Sequence, residues 1–239
     1  MQIFVDENIP QGREAFTPHG EVTLFHGRQL QADALKQADA LIVRSITKVN
    51  KNLLEASPIQ FVGTATIGTD HVDQAYLASR NIAFSSAPGC NANSVAEYVL
   101  SALSRLHVDQ GFTWQQKTLG IVGYGHVGKK LAAKAKILGI RILLCDPPLQ
   151  EAGLDHETYY DLSMLLEECD IISLHVPLTR TGAHPTLRMI HNENLSLIQK
   201  PLILFNSCRG EVIEEKALFE AKQKGMKLFL NYCDSSFFF

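Results

Sequence analysis

The stretch TLGIVGYGHVGKKLAAKAKILGIRILLCDPP, residues 118–148, decides how the second half of this chain folds. It opens with an apolar run, passes through Gly123, Gly125 and Gly128, and closes with a second apolar run. A G-x-G-x-x-G spacing between two predicted strands, with a helix predicted over 127–138, is typical of a βαβ unit that binds a dinucleotide. We expect the first glycine to permit the tight turn, the second to let the backbone approach a pyrophosphate, and the third to let helix and strand pack closely.

An aspartate stands where such a unit needs an acid for the ribose. Asp146 follows the second apolar run, 18 residues after Gly128. Its carboxylate would accept a hydrogen bond from a ribose 2′-hydroxyl and repel a 2′-phosphate, which favours NAD over NADP. The alternative is a glycine turn that packs an αβ unit and holds no ligand. Because strand, helix, strand and acid occur in the required order, the motif predicts an NAD site.

Short apolar runs alternate with longer amphipathic stretches along the chain. This alternation predicts an α/β fold with parallel sheets and helices on both faces. Strands are predicted over 3–5, 21–25, 40–43, 59–62, 82–84, 119–122, 140–145, 171–175, 202–206 and 227–230. Helices are predicted over 31–38, 72–80, 95–108, 127–138, 162–168 and 214–224.

A long predicted helix separates two rounds of this alternation. We expect a domain boundary near residues 90–95, just before the helix. Asn93 or Ser94 is expected to cap its start, because Glu97 follows Ser94 at the spacing of a capping box.

Composition excludes several classes of function. The net charge of −3 lacks the basic excess of a nucleic-acid or membrane-surface protein. The five cysteines show no C-x-x-C spacing, which is typical of reduced thiols rather than a disulfide framework. The nine histidines form no metal-ligand spacing, so no metal is expected. Without a signal-like start or an apolar run of about 18 residues, we expect a cytoplasmic protein.

Motifs along most of the chain resemble those of the D-isomer-specific 2-hydroxyacid dehydrogenases. The resemblance implies two doubly wound parallel-sheet domains with the active site in the cleft between them: a flavodoxin-like substrate domain over 1–92 and a Rossmann NAD-binding domain over 93–228. It also implies NAD as cofactor and a homodimer. The matching stretches are MQIFVDENIP (1–10), ADALIVRSITKVN (38–50), FVGTATIGTDHVD (61–73), APGCNANSVAEYV (87–99), GIVGYGHVGKK (120–130), LLCDPP (143–148), DIISLHVPLTRTG (170–182) and LFNSCRGEV (204–212).

Two of these stretches favour one branch of the family. APGCNA and LLCDPP are similar to the branch whose substrate is a small phosphorylated hydroxy acid. The VRSxTKV pattern and the glycine motif are shared with other members. A sister dehydrogenase, such as one acting on phosphoglycerate, therefore stays as an alternative.

The resemblance also implies roles for individual residues. Arg209 matches the family's catalytic arginine, which would hold the substrate carboxylate and polarise the forming carbonyl. Arg44, Ser45 and Thr66 match substrate contacts, although turn chemistry alone also explains such loops. Val176 stands where many members have threonine. The expected cofactor contacts are Gly123, Tyr124, Gly125, His126, Val127, Gly128, Asp146, His175, Val176 and Cys208.

The resemblance ends near residue 228. Members of the family continue with a tryptophan–glutamate cluster and a later proline–histidine pair, which supply the supporting glutamate and the general base. Here no tryptophan follows Trp114 and no histidine follows His191. We interpret 229–239 as an aberrant tail, the NAD domain as incomplete and the dimerisation domain as absent, and we expect an inactive chain. The alternative is a non-catalytic NAD-binding module.

Overall fold

The computed structural model describes residues 1–111 and 113–223. The chain divides into two compact units, Met1–Cys90 and a second unit that begins at Asn91. The strand predicted over 227–230 and the tail over 229–239 lie outside the described residues. Among the described residues of both units, no helix is long and apolar enough to cross a membrane.

The first unit is built on a five-stranded parallel sheet with strand order β2-β1-β3-β4-β5. This is the flavodoxin-like order, in which the chain adds strands first on one side of β1 and then on the other. β3 is buried along its whole length, as expected for a strand with helices on both faces. The strands are β1 (Gln2–Asp6), β2 (Glu21–Phe25), β3 (Ala40–Val43), β4 (Phe61–Thr64) and β5 (Ala83–Ser86).

Three short α-helices connect these strands: α1 (Gly12–Phe16), α2 (Lys51–Leu54) and α3 (Gln74–Ser79). The helix predicted over 31–38 is wrong, because only a 3-10 helix forms there, Ala32–Leu35. A segment this short has little helical stability of its own, and one turn suffices to bury Leu35.

The second unit carries a four-stranded parallel sheet with strand order β7-β6-β8-β9. β6, β8 and β9 are buried throughout, and the core lies on both faces of the sheet. The strands are β6 (Thr118–Val122), β7 (Arg141–Cys145), β8 (Ile171–Leu174) and β9 (Ile203–Asn206). The α-helices are α4 (Ala92–Gln110), α5 (His126–Ile137), α6 (Pro147–Ala152), α7 (Leu162–Glu168), α8 (Asn192–Leu195) and α9 (Glu215–Gln223).

The predicted cap of α4 is wrong. The helix begins earlier, and its N-cap is Asn91, whose side chain makes no cap hydrogen bond. Asn93 and Ser94 therefore lie inside the first turn, where they have helical backbone and cannot act as caps. Asn93 instead donates from Nδ2 to Glu97 Oε1 at 2.8 Å, and Lys134 of α5 reaches the same oxygen at 3.2 Å. Glu97 thus ties α4 to α5 rather than closing a capping box.

Candidate functional site

The glycine loop between β6 and α5 is built from two positions that admit no side chain. Gly123 has a φ of 92°, and a Cβ there would lie 2.6 Å from the carbonyl oxygen of His175. A Cβ on Gly128 would collide with the carbonyl oxygen of Gly123. Both contacts are with backbone, which cannot move aside. Glycine is therefore required for the turn and for the close packing of α5 on the sheet.

Gly125 is different, because a Cβ there would meet nothing within 4 Å. The backbone of Gly125 is therefore open to an approaching group. Gly125 is also the N-cap of α5, so no N-cap side chain bonds to the first N–H groups of that helix. Uncapped N–H groups and the positive end of the helix dipole suit an anion. The loop therefore fits the pyrophosphate of a dinucleotide.

Tyr124 lies in the glycine loop, but its side chain packs into the core. Its ring is buried in the core, and its hydroxyl donates to Glu157 Oε1 at 3.0 Å. Burial, followed by the nearby Glu157 carboxylate, raises the pKa of Tyr124 to about 12. The ring thus belongs to the core of the unit. At the start of α5, His126 is exposed and Val127 is half-buried.

Asp146 lies beside the glycine loop and binds it. Its Oδ2 accepts from the backbone N–H of Tyr124 at 2.7 Å. Its Oδ1 accepts from the backbone N–H of Leu149 at 3.1 Å and so caps α6. Each carboxylate oxygen keeps a lone pair for another donor, such as a ribose hydroxyl. Sequence reasoning did not predict that Asp146 binds the glycine loop or that it caps α6, although a Pro at the first position of α6 is a signal for a helix cap.

His175 follows β8 and is held at both ring nitrogens. Ser207 Oγ lies 2.9 Å from Nδ1, and Ser173 Oγ lies 2.9 Å from Nε2. The backbone N–H of His175 donates to Val122 at 2.7 Å. Burial lowers the pKa of His175 from 6.5 to about 4, so the ring is neutral near pH 7. Sequence reasoning missed both serines, although Ser173 shares a strand face with His175.

Arg209 follows β9 in a loop that Asn206 organises. The buried Asn206 donates from Nδ2 to the carbonyl oxygen of Arg209 at 2.9 Å. Its Oδ1 accepts from the backbone N–H of Cys208 at 3.1 Å and from Cys208 Sγ at 3.0 Å. Burial raises the pKa of the Cys208 thiol, so the thiol stays protonated. Asn206 was not among the predicted site residues, and it sets the backbone from which the arginine projects.

In the first unit, Thr66 belongs to a chain of hydrogen bonds. Its hydroxyl donates to the carbonyl oxygen of Gly68 at 3.0 Å, which uses its single proton. Thr64 Oγ1, 2.8 Å away, must then donate to Thr66 and accept from Nε2 of His71 at 3.0 Å. In this arrangement the Thr66 hydroxyl has only acceptor capacity left. The loop would therefore meet an anion with its backbone N–H groups.

Arg44 and Ser45 begin the loop after β3. The Nε of Arg44 donates to Asp6 Oδ1 at 3.2 Å, and the backbone N–H of Thr47 donates to the Arg44 carbonyl at 3.1 Å. Ser45 is exposed at this turn. Asp6, at the end of β1, was missed by sequence reasoning.

Residues 93–229 match the family model "D-isomer specific 2-hydroxyacid dehydrogenase, NAD binding domain". Over 228 residues the chain is 49% identical to the erythronate-4-phosphate dehydrogenases of Yersinia pestis (strain Pestoides F) and Yersinia pseudotuberculosis serotype O:1b (strain IP 31758). The match covers 95% of this chain and 60% of each of these relatives. The chain thus spans about three fifths of the length of the curated relatives that it matches.

Solved structures show the same architecture. The NAD+-bound 3-phosphoglycerate dehydrogenase of Entamoeba histolytica superposes with a TM-score of 0.82 at 28% identity, over 99% of this chain and 82% of that one. The D-lactate dehydrogenase of Aquifex aeolicus, complexed with NAD and lactic acid, superposes with a TM-score of 0.76 at 27% identity, over 97% of this chain and 76% of that one. The predicted α/β class with two parallel sheets is confirmed. The chain belongs to the D-isomer-specific 2-hydroxyacid dehydrogenase family.

Proposed function

We propose that this chain carries the substrate and NAD domains of an erythronate-4-phosphate dehydrogenase. That enzyme would oxidise 4-phospho-D-erythronate to 2-oxo-3-hydroxy-4-phosphobutanoate, a step towards pyridoxal phosphate (vitamin B6). The observation that carries the proposal is the 49% identity over 228 residues with relatives of that name. We further propose a cytoplasmic enzyme that acts as a homodimer when the family's C-terminal dimerisation segment is present.

The glycine loop supports NAD as the cofactor. Gly125 leaves room for a pyrophosphate at the start of α5, and Asp146 offers a carboxylate beside it. NAD supplies the acceptor for the hydride that leaves the substrate carbon. A carboxylate at this position favours a ribose hydroxyl and repels a 2′-phosphate, so we propose NAD rather than NADP. His175, Val176 and Cys208, after β8 and β9, complete the proposed cofactor contacts.

We assign the remaining residues by the family's chemistry. The guanidinium of Arg209 would hold the substrate carboxylate and stabilise the negative charge on the forming carbonyl oxygen. Arg44, Ser45 and the backbone at Thr66 would bind the anionic groups of the substrate. These assignments make residues 1–92 the substrate domain and 93–228 the NAD domain.

The substrate hydroxyl also needs a general base. Histidine suits this role because its pKa lies near working pH. Members of the family place that base beyond the arginine, and within these 239 residues no histidine follows His191. A chain without that base is expected to turn over at least about 100-fold more slowly than a chain that has it.

Calorimetric titration of the purified chain tests the proposal. We expect binding of NAD, then of 4-phospho-D-erythronate in its presence, with weaker binding of 3-phosphoglycerate. Preference for 3-phosphoglycerate would favour the sister dehydrogenase. Binding of NAD with neither acid would favour a non-catalytic NAD module. Absence of NAD binding by the folded chain would overturn the assignment altogether.

A further inference from the structure

The pair formed by Asp6 and Arg44 lies at the point where the strand order of the first sheet reverses. The chain goes from β1 to β2 on one side and then returns to place β3 on the other side of β1. Asp6 is the last residue of β1, and Arg44 directly follows β3. In open α/β sheets, ligands bind outside the carboxyl ends of the strands at such a point. The two residues therefore stand where a ligand of this unit is expected.

Asp6 is fully buried, which is costly for a carboxylate unless it is paired. Its Oδ1 accepts from Arg44 Nε at 3.2 Å and from the backbone N–H of Asn8 at 2.9 Å. Its Oδ2 has no hydrogen-bond partner within residues 1–111 and 113–223. Arg44 thus supplies a paired positive charge for this carboxylate.

The carboxylate is also confined by its surroundings. A Cβ on Gly27 would collide with Asp6 Oδ2 and lie 2.8 Å from Thr47 Oγ1, so the backbone of Gly27 packs directly on the acid. The Thr47 hydroxyl donates to the Gly27 carbonyl at 3.1 Å, which ties the loops after β2 and β3 together. Asp6 therefore offers Arg44 an immobile anchor.

Arg44 uses only one of its five N–H donors on this anchor. In the described part of the chain, the bond from Nε to Asp6 is its only side-chain hydrogen bond, and 33% of the side chain is exposed. A guanidinium held through Nε presents its four Nη donors in a fixed plane. That fork matches a carboxylate or a phosphate in two-point contact.

We infer that Asp6 is a positioning residue, which orients the guanidinium of Arg44 to bind an anionic group of a phosphorylated hydroxy acid. The class of substrate in this inference rests on the proposed function. The role of Asp6, on β1, goes beyond that function. Asp6 acts through Arg44 alone and does not touch the substrate.

The test compares substrate affinities in a double-mutant cycle on the 239-residue chain. Asp6→Asn, Arg44→Gln and the double variant are titrated with 4-phospho-D-erythronate in saturating NAD. We expect Asp6→Asn to weaken binding about tenfold, within the range of coupled neighbours, and to add nothing in the Arg44→Gln background. The affinity for NAD is expected to stay unchanged in all three variants.

Asp39→Asn is the matched control. Asp39 precedes β3 at the opposite edge of the same two strands, where its Oδ2 accepts from the backbone N–H of Gln2 at 2.6 Å. This variant removes a similar charge and bond but should leave substrate affinity intact. If Asp6→Asn matches the control, or if its loss adds fully to that of Arg44→Gln, the inference is overturned while the proposed function stands. If the wild-type chain binds NAD but not the acid, both are overturned.

Discussion

Single residues in the glycine loop show why one amino acid serves different purposes at neighbouring positions. Gly123 and Gly128 are required by the fold, since any side chain would collide with backbone carbonyls. Gly125 is not required by the fold, because the space above it is open. A glycine with room for a side chain is explained by something that approaches from outside, and here a cofactor phosphate fits.

Gly125→Val separates these two explanations. We expect the free energy of unfolding to fall by no more than about 1 kcal/mol, the cost of a poorer N-cap, because a Cβ at this position meets no protein atom within 4 Å. The affinity for NAD should fall roughly 100-fold, since overpacking a contact costs about 3 kcal/mol. Urea unfolding and NAD titration measure the two quantities.

Ala133→Val is the control, because it adds a β-branched side chain to an exposed position of the same helix. It should leave NAD binding unchanged. Equal NAD affinity in Gly125→Val and wild type would show that the cofactor does not approach this loop.

The ring of His175 makes stability depend on pH. Its pKa is about 4 in the folded chain and 6.5 in its ordinary state, so between these values the unfolded chain binds the extra proton. Stability is therefore full above pH 6.5 and is lost as the pH falls towards 4, by up to about 1.4 kcal/mol per pH unit.

Urea unfolding at about pH 7 and about pH 5 measures this loss. His175→Gln should flatten the dependence over that window, whereas His19→Gln, at an exposed position, should not. A wild-type profile as flat as that of His175→Gln would contradict the lowered pKa.

At the level of secondary-structure elements, the strands followed the sequence pattern closely. The strands predicted over 21–25 and 40–43 are confirmed at both ends, and the helix over 162–168 likewise. The errors are the shifted helix starts, the segment over 31–38, the strand predicted over 59–62, which forms over Phe61–Thr64, and the short helices α1, α2, α6 and α8, which were not predicted. Caps depend on one or two hydrogen bonds, which a spacing such as Ser94 to Glu97 suggests but does not guarantee.

Asp146 joins two elements, and its substitution should separate its roles. Asp146→Ala removes the cap of α6 and is expected to cost about 1 kcal/mol of stability. Asp146→Ser keeps a capping oxygen but loses the charge, so it should preserve more stability and bind NADP better relative to NAD. Thermal unfolding and titration with both cofactors measure the effects. An unchanged NADP to NAD ratio in Asp146→Ser would show that the carboxylate does not face the ribose.

The whole molecule contains two units, each with cores of its own. Leu41 lies in the core of the first unit and Leu131 in that of the second. Chains with separate cores often depart from two-state unfolding. If the glycine loop binds NAD, the ligand should stabilise the second unit directly.

Scanning calorimetry tests this independence. We expect two transitions, with NAD at about 100 times its Kd stabilising one of them by about 2.7 kcal/mol. Leu131→Ala should lower the NAD-sensitive transition and Leu41→Ala the other, each by about 2–5 kcal/mol. A single transition that both variants lower equally would show that the units unfold together.

The α/β class, most strands and the NAD motif could be read from the residues because they depend on local order. Apolar runs, glycine spacing and the acid at the end of β7 are features of consecutive residues. The pairs Asp6–Arg44, His71–Thr64 and Ser207–His175 could not be read in this way. They join residues on different strands or loops, and which strands become neighbours is settled only when the whole sheet packs, because burial and hydrogen bonding across strands select the order.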